Sequence, residues 1–168
     1  MYRMLARIRG INKKENKGMR TTITYGYGFL CGCSKKSIVD FIKLHRDSFC
    51  ASELEKKIFQ CITSSDGDTD NLDDIFDHYG CDATGREGIG AVISNIMSRE
   101  TGIRFEYCGA DAACNTPASV IFGAGYPWSF NAVEKDLTAE KLETICKRYA
   151  DELGINTDPD YLELEYYG

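Results

Sequence analysis

The chain has 168 residues, of which 43% are hydrophobic and 27% charged. This composition is typical of a folded globular protein and excludes a disordered, fibrous or coiled-coil chain. A chain of this length can bury one hydrophobic core, which predicts a single domain over residues 1–168. No stretch approaches the roughly 20 consecutive apolar residues that cross a bilayer, and the N-terminus lacks the apolar block of a secretion signal. We therefore expect a cytoplasmic protein with no membrane partner.

The formal net charge of −6 is unevenly divided along the sequence. Residues 1–60 carry +8, whereas residues 61–168 carry −14. Such asymmetry indicates a charged partner. The eight cysteines fit apolar helix and strand patterns as small hydrophobic residues do, which favours free thiols in a reducing compartment.

The first thirty residues predict two paired strands. Apolar residues alternate with polar residues or glycine over residues 4–9 and again over 23–29, as they do in strands with one buried face. The polar segment 11–18 lies between them and predicts an exposed, mobile loop.

Four helices are predicted to follow. The first spans residues 35–49 and buries one apolar face that includes His45. Ser52 and Glu55 form a capping box that opens the second. The third is short, with apolar residues from Leu72 to Tyr79 turned inward, and a capping box of Thr84 and Glu87 opens the fourth.

The C-terminal third predicts strands at 103–108 and 118–125, then a helix that Thr138 caps and Gly154 ends, and finally a strand after residue 160. Because a helix joins the last two strands, they are expected to pair in parallel. The order ββααααββαβ predicts an α+β fold in which helices pack on a mixed sheet of about five strands.

Residues 66–82 contain seven aspartates and no lysine or arginine. One interpretation is an anionic surface that occupies the electropositive groove of a nucleic-acid-binding protein. Acids on the 138–154 helix, together with Glu163 and Glu165, extend this surface. The other interpretations are a calcium loop at Asp66, Asp68 and Asp70, and a solvated loop with a helix cap. The partner-binding aspartates of the first interpretation are Asp66, Asp68, Asp70, Asp73, Asp74 and Asp77.

Two further segments have residues suited to binding. Tyr126 and Trp128 lie in a long connection, where exposed aromatic side chains anchor a partner; the alternative is that Trp128 and Phe130 plug the end of the core. The N-terminal hairpin concentrates positive charge beside two tyrosines, which suits contact with nucleic-acid phosphates or a solvated loop. Its candidate nucleic-acid-binding residues are Arg9, Lys13, Lys14, Lys17 and Arg20.

No catalytic or cofactor pattern is found. Cys31, Cys33, His45 and Cys50 lack the usual spacing of a zinc site, and His45 lies on an apolar helix face, where a packed histidine is the usual role. The glycines of residues 84–90 follow a helix instead of a strand, which argues against a nucleotide loop. We therefore predict a non-enzymatic interaction protein without a cofactor; a small calcium- or zinc-dependent module is the other alternative.

A compact, acidic, single-domain chain with the segment DGDTDNLDDIFD resembles the small inhibitors carried by phages and mobile elements, including the anti-CRISPR proteins. The resemblance concerns size and charge across the chain. It implies that the partner is a larger basic protein, such as a CRISPR nuclease or its guide-RNA complex, and that the chain inhibits it. The basic hairpin departs from a purely anionic pattern and leaves direct nucleic-acid contact as a second hypothesis.

Overall fold

The structure is a computed structural model that describes residues 14–16, 19–64, 89–110, 114–123 and 127–167. Its strands and helices confirm the predicted α+β class. In chain order they are β1 (Lys14–Asn16), β2 (Met19–Leu30), α1 (Lys35–Leu44), α2 (Arg46–Phe49), α3 (Glu53–Ser64), α4 (Ile89–Thr101), β3 (Phe105–Cys108), β4 (Ser119–Gly123), a 3-10 turn (Pro127–Ser129), α5 (Ala132–Lys135), α6 (Ala139–Glu152) and β5 (Asp160–Tyr167).

The described strands form one sheet centred on β2. Residues 26–30 of β2 pair with β4, which pairs with β3, and residues 21–28 of β2 pair with β5. The sheet is therefore ordered β5-β2-β4-β3, and β1 adds a short pairing with residues 19–21 of β2. All pairings are antiparallel.

The predicted parallel pairing of β4 with β5 is wrong. β4 and β5 run in the same direction, but β2 lies between them. Both edges of β4 are already occupied, one by β2 and the other by β3, so the crossover through α6 carries β5 to the far edge of β2. The sheet of the described residues is antiparallel and not mixed.

The predicted loop over residues 11–18 is also corrected, because Lys14–Asn16 forms β1 and pairs with Met19–Thr21. The strand predicted at residues 4–9, the helix from Leu72 to Tyr79 and the capping box of Thr84 and Glu87 lie outside the described residues.

One face of the sheet packs against helices to form the core. The register places Phe29 beside Val120 and Phe105 beside Phe122 on this face, since directly paired residues share a face. The helix side chains buried against them come from α1, α2, α3, α4 and α6 and include Phe41, Ile42, Phe49, Ile58, Ile96, Met97, Cys146, Tyr149 and Leu153.

The predicted caps of two helices are confirmed. The Ser52 hydroxyl accepts from the Glu55 amide at 3.2 Å, and a Glu55 carboxylate oxygen accepts from the Ser52 amide at 2.7 Å. Thr138 caps α6 through the amide of Lys141, and Gly154 has the left-handed φ of +70° that ends it.

The helix predicted over 35–49 is divided at His45, whose φ of −102° and ψ of 33° separate α1 from α2. The apolar face is nonetheless buried as predicted, because Ile38, Phe41, Ile42 and Phe49 all belong to the core. The break therefore changes the course of the helix at the histidine without exposing this face.

Candidate functional site

Most residues of the predicted binding segments lie outside the described ranges. These are Asp66, Asp68, Asp70, Asp73, Asp74, Asp77, Tyr126, Arg9, Lys13 and Lys17. The backbones of Lys14 and Arg20 lie in the β1–β2 pairing, where Lys14 is opposite Thr21 and Arg20 is opposite Glu15. Trp128, Glu163, Glu165 and the acids of α6 are described.

Trp128 lies at the surface with 76% of the residue exposed. The prediction that Trp128 plugs the end of the core is therefore wrong. Phe130, the other residue of that prediction, does pack against the core, with its ring centroid 5.9 Å from that of Phe122. The exposed position agrees with the other interpretation of the sequence, in which Trp128 anchors a partner; that role stays a prediction.

An ion pair between the exposed Arg104 and the buried Glu134 holds the backbone beside Trp128. Arg104 donates through Nε and its terminal nitrogen to the two carboxylate oxygens of Glu134, at 2.8 and 2.7 Å, and also donates to the Ser129 carbonyl at 2.6 Å. Glu134 and Asn131 form a capping box that opens α5. The Arg104 hydrogen bond lowers the pKa of the Glu134 carboxyl to about 2, against the opposing effect of burial. The exposed tryptophan is thus attached to a rigid turn.

A second exposed surface lies where β5 joins β2, and we call it the tyrosine–carboxylate patch. Tyr27 is directly opposite Tyr161, and their rings meet edge to face with centroids 5.1 Å apart. Tyr25 is directly opposite Glu163 and therefore on the same face. The members of the patch are Tyr25, Tyr27, Tyr161, Glu143, Asp160, Glu163 and Glu165.

The carboxylates of the patch contribute to raised pKa values of the two β2 tyrosines. Burial and then Glu163, with a smaller effect of Glu165, raise the pKa of Tyr25. Burial and then Glu143 and Asp160 raise the pKa of Tyr27 to about 12. Negative charge from α6 and from β5 therefore converges on one strip of β2.

Within the part of the chain that the structure describes, none of the four carboxylates of the patch forms an ion pair with lysine or arginine. Each of the four residues is exposed. The patch brings Glu143 of α6 and the acids of the last strand to one region; whether they extend the surface predicted for residues 66–82 stays a prediction, because those residues lie outside the described ranges.

The sequence did not predict the cluster around His45, which is 6% exposed. Its Nδ1 lies 2.7 Å from Glu100 Oε1, and its Nε2 lies 2.9 Å from Glu152 Oε2. Ser48 and Tyr149 each donate a hydrogen bond of 2.7 Å to Glu100, while Arg148 donates one of 2.9 Å to Glu152. The only sequence signal was a histidine on an apolar helix face, and its partners are 55 and 107 residues away.

The His45 cluster argues against the zinc site considered for this residue. Carboxylates already occupy both ring nitrogens, so neither nitrogen is available as a zinc ligand. The histidine and its two carboxylate partners are largely shielded from solvent. Burial raises the pKa of Glu100, but the hydrogen bonds from Ser48, Tyr149 and His45 outweigh it and hold that pKa below its usual value. These contacts favour a structural role.

The described cysteines are free thiols. Burial raises the pKa of Cys31 and of Cys146 to about 12, which keeps both protonated and poor nucleophiles at neutral pH. No group of three potential metal ligands comes together within the described ranges, and this counts against the zinc alternative at Cys31, Cys33, His45 and Cys50. The calcium alternative at Asp66, Asp68 and Asp70 lies outside those ranges.

Among the helices of the described segments, none has the combined length and apolarity that crossing a membrane requires. Comparison of the chain with protein-family models, with curated proteins and with solved structures finds no match.

Proposed function

We propose that this chain is a non-enzymatic interaction protein that binds a larger basic partner and inhibits it through its anionic surface. The partner is a nucleic-acid-handling protein such as a Cas nuclease, alone or with its guide RNA. The observation that carries the proposal is the tyrosine–carboxylate patch, where four exposed carboxylates on two elements have no lysine or arginine partner among the described residues.

The patch is suited to this role because its charges are held in place. Glu163 and Glu165 alternate along a strand that pairs with β2 over eight residues, so their side chains leave the same face about 7 Å apart. A row of fixed negative charges attracts the lysines and arginines that a nuclease presents to phosphates. Since the β-sheet orders the carboxylates before binding, little further conformational entropy is lost on association.

Aromatic side chains supply contact area beside these charges. Tyr161 is 46% exposed within the patch, and Trp128 is 76% exposed on the turn that Arg104 and Glu134 hold. Tyrosine and tryptophan are the residues that most often dominate binding energy in protein interfaces, and arginine stacks on their rings. The aspartates of residues 66–82 are further partner-binding residues of the proposal, which rests for them on the sequence alone.

The proposal is tested with a panel of purified Cas nucleases, each loaded with guide RNA and offered target DNA. The chain is expected to bind at least one of them and to slow cleavage, and the Glu163→Gln/Glu165→Gln double variant to bind about tenfold or more weakly. Replacement of Asp68, Asp70, Asp73 and Asp74 by Asn is expected to weaken binding in the same direction.

The matched control is the double variant Asp40→Asn/Asp136→Asn, which removes the same charge from exposed positions on α1 and at the end of α5. It should leave binding within about twofold, since charges at other sites act mainly through a screened long-range field. Absence of binding and inhibition across the panel, or equal losses in the two double variants, would contradict the proposal.

Direct nucleic-acid binding is the second candidate function, and the β1–β2 pairing favours it. This pairing places the backbones of Lys14 and Arg20 in a two-stranded ribbon in a part of the chain rich in cations. Retention of nucleic acid by the isolated chain, weakening with salt and lost on Lys13/Lys14/Lys17→Glu, would support this function. The first proposal expects no such retention.

A further inference from the structure

A cavity of about 310 Å³ opens between α2 and α3. Four of its six lining residues are polar or charged, and one is aromatic. The lining residues are Arg46, Asp47, Cys50, Lys56, Phe59 and Gln60. The volume lies at the small end of the range for ligand sites in proteins, which corresponds to a small molecule.

Arg46 is held in an orientation that suits anion binding. Its guanidinium carbon lies 5.4 Å from the centroid of the Phe59 ring, a cation–π contact that restricts the side chain. No carboxylate lies within ion-pair distance of Arg46 in the described structure. The N–H donors of a guanidinium lie in the plane of the group. A contact between the guanidinium and an aromatic ring therefore does not use these donors, and they can bind an oxyanion through two parallel hydrogen bonds.

Lys56 supplies a second cation from α3. Its ammonium is 2.6 Å from Glu53, but the two side chains are 51% and 83% exposed. Exposed ion pairs of this kind contribute little free energy, so an anionic ligand can displace Glu53 readily. Gln60 is one helical turn after Lys56 and therefore lies on the same face of α3, where its amide offers another donor.

The remaining lining residues do not cancel this positive charge. Asp47 is the one carboxylate in the lining, against two cations. Burial raises the pKa of Cys50, an effect that outweighs the lowering by Arg46, so the thiol is uncharged at neutral pH and does not repel an anion. Once Glu53 is displaced from Lys56, the cavity thus has a net positive lining with donors on both of its helices.

We propose that this cavity binds a small molecule through a phosphate group, with Arg46 bidentate to two phosphate oxygens and Lys56 on a third. A phosphate matches this lining better than a single carboxylate does because it offers three oxygens and close to two negative charges to donors on opposite walls. The site is independent of the anionic surface in the proposed function.

The test is a titration of the full chain with glycerol 3-phosphate, followed by the backbone amide resonances of Cys50 and Gln60 in NMR spectra. Inorganic phosphate is titrated as the minimal probe and glycerol as the neutral one. Saturable shifts are expected with both phosphates and none with glycerol. Arg46→Gln and Lys56→Gln are each expected to weaken binding about tenfold or more, as the loss of a charged hydrogen bond does.

Lys57→Gln is the matched control, because Lys57 is an exposed lysine next to Lys56 on α3 that does not line the cavity. It should bind like the unmodified chain. Replacement of Arg46 removes its contact with Phe59 and can disturb packing. The Lys56 side chain is half exposed, so the Lys56 variant is expected to keep the fold and to test the site by itself. The proposal is overturned by the absence of saturable shifts at millimolar phosphate, or by equal losses in the Lys56 and Lys57 variants.

Discussion

His45 and Glu100 are 55 residues apart in the chain, yet the imidazole Nδ1 of one lies 2.7 Å from the carboxylate Oε1 of the other. Glu152 occupies the second ring nitrogen, so the imidazole links the α1–α2 junction to the ends of α4 and α6. Arg148 also contacts both glutamates, with its Nε 2.9 Å from Glu152 Oε1 and its terminal nitrogen 3.7 Å from Glu100 Oε2.

Replacing His45 with alanine is expected to lower the free energy of unfolding by about 3 kcal/mol, because it removes the imidazole that links two largely buried carboxylates. The Glu100 and Glu152 side chains are each 21% exposed, which places the loss at the lower end of the range for buried pairs. Urea denaturation followed by circular dichroism measures it.

Lys43→Ala is the control for His45→Ala, since Lys43 is exposed in the last turn of α1. It should change stability by less than about 0.5 kcal/mol. A His45→Ala loss as small as that of the control would mean that water reaches the two glutamates well enough to replace the imidazole.

Glu134 makes stability depend on pH at the acid end. The hydrogen bond from Arg104 lowers the pKa of Glu134 in the folded chain from 4.5 to about 2, although burial acts in the opposite direction. The ionised carboxylate therefore contributes its full stabilisation at pH values above the pKa that Glu134 has in the unfolded chain. This contribution should be lost as the pH falls from about 5 to about 2, and it amounts to about 2–3 kcal/mol on a shift of this size. The lowered pKa of Glu100 acts in the same direction.

The measurement is the urea unfolding free energy between pH 2 and pH 6, compared with that of Glu134→Gln. The variant should be less stable than the unmodified chain near neutral pH, and its stability should fall less steeply with acid. Parallel pH profiles of the two proteins would show that Glu134 does not titrate differently in the folded and unfolded states.

Local signals in the sequence located some helix ends but not the partners of the strands. The capping box of Ser52 and Glu55 and the stop at Gly154 depend on residues within one turn of the helix end, and both are confirmed. The partner of β5 depends instead on which strand edges remain free, a property of the whole sheet. Alternation in residues 160–167 cannot carry that information, and the predicted pairing with β4 was wrong.

For the candidate site as well, local features could be predicted from the sequence and long-range contacts could not. The acids of the last strand were visible as Glu163 and Glu165, because alternation with leucines places both on one face of β5. Their approach to Tyr25, and the meeting of His45 with Glu100, require elements far apart in sequence to pack together. Pairwise contacts of this kind leave no periodic pattern in a single sequence.

Gly28 is required where β2 passes β4. A Cβ built on Gly28 would lie 1.9 Å from the Val120 carbonyl oxygen, which is far inside van der Waals contact and involves backbone that cannot move without separating the strands. Gly28→Ala is therefore expected to lower the free energy of unfolding by at least about 3 kcal/mol, or to prevent folding.

Gly32→Ala provides the comparison, because no heavy atom lies within 4 Å of a Cβ at that position. It should be neutral or slightly stabilising, since alanine reduces the freedom of the unfolded chain. Thermal melts of the two variants, recorded together with the yield of soluble protein, measure the difference. Similar melting temperatures for the two variants would mean that β2 and β4 are not as close as the structure has them.

The fluorescence of Trp128 can test whether this residue belongs to a binding surface or to the core, because it is the only tryptophan in the sequence and is 76% exposed. Acrylamide should quench its fluorescence in the folded chain nearly as well as in the chain unfolded in urea. Trp128→Ala should change the unfolding free energy by less than about 0.5 kcal/mol, whereas Phe130→Ala should cost about 2 kcal/mol because that ring packs on the core.

Binding of a Cas nuclease to the chain should protect Trp128 from acrylamide. Trp128→Ala should weaken that complex about tenfold or more, as loss of an aromatic anchor does. Quenching that is poor in the isolated folded chain would place the indole in the core and remove it from the proposed surface.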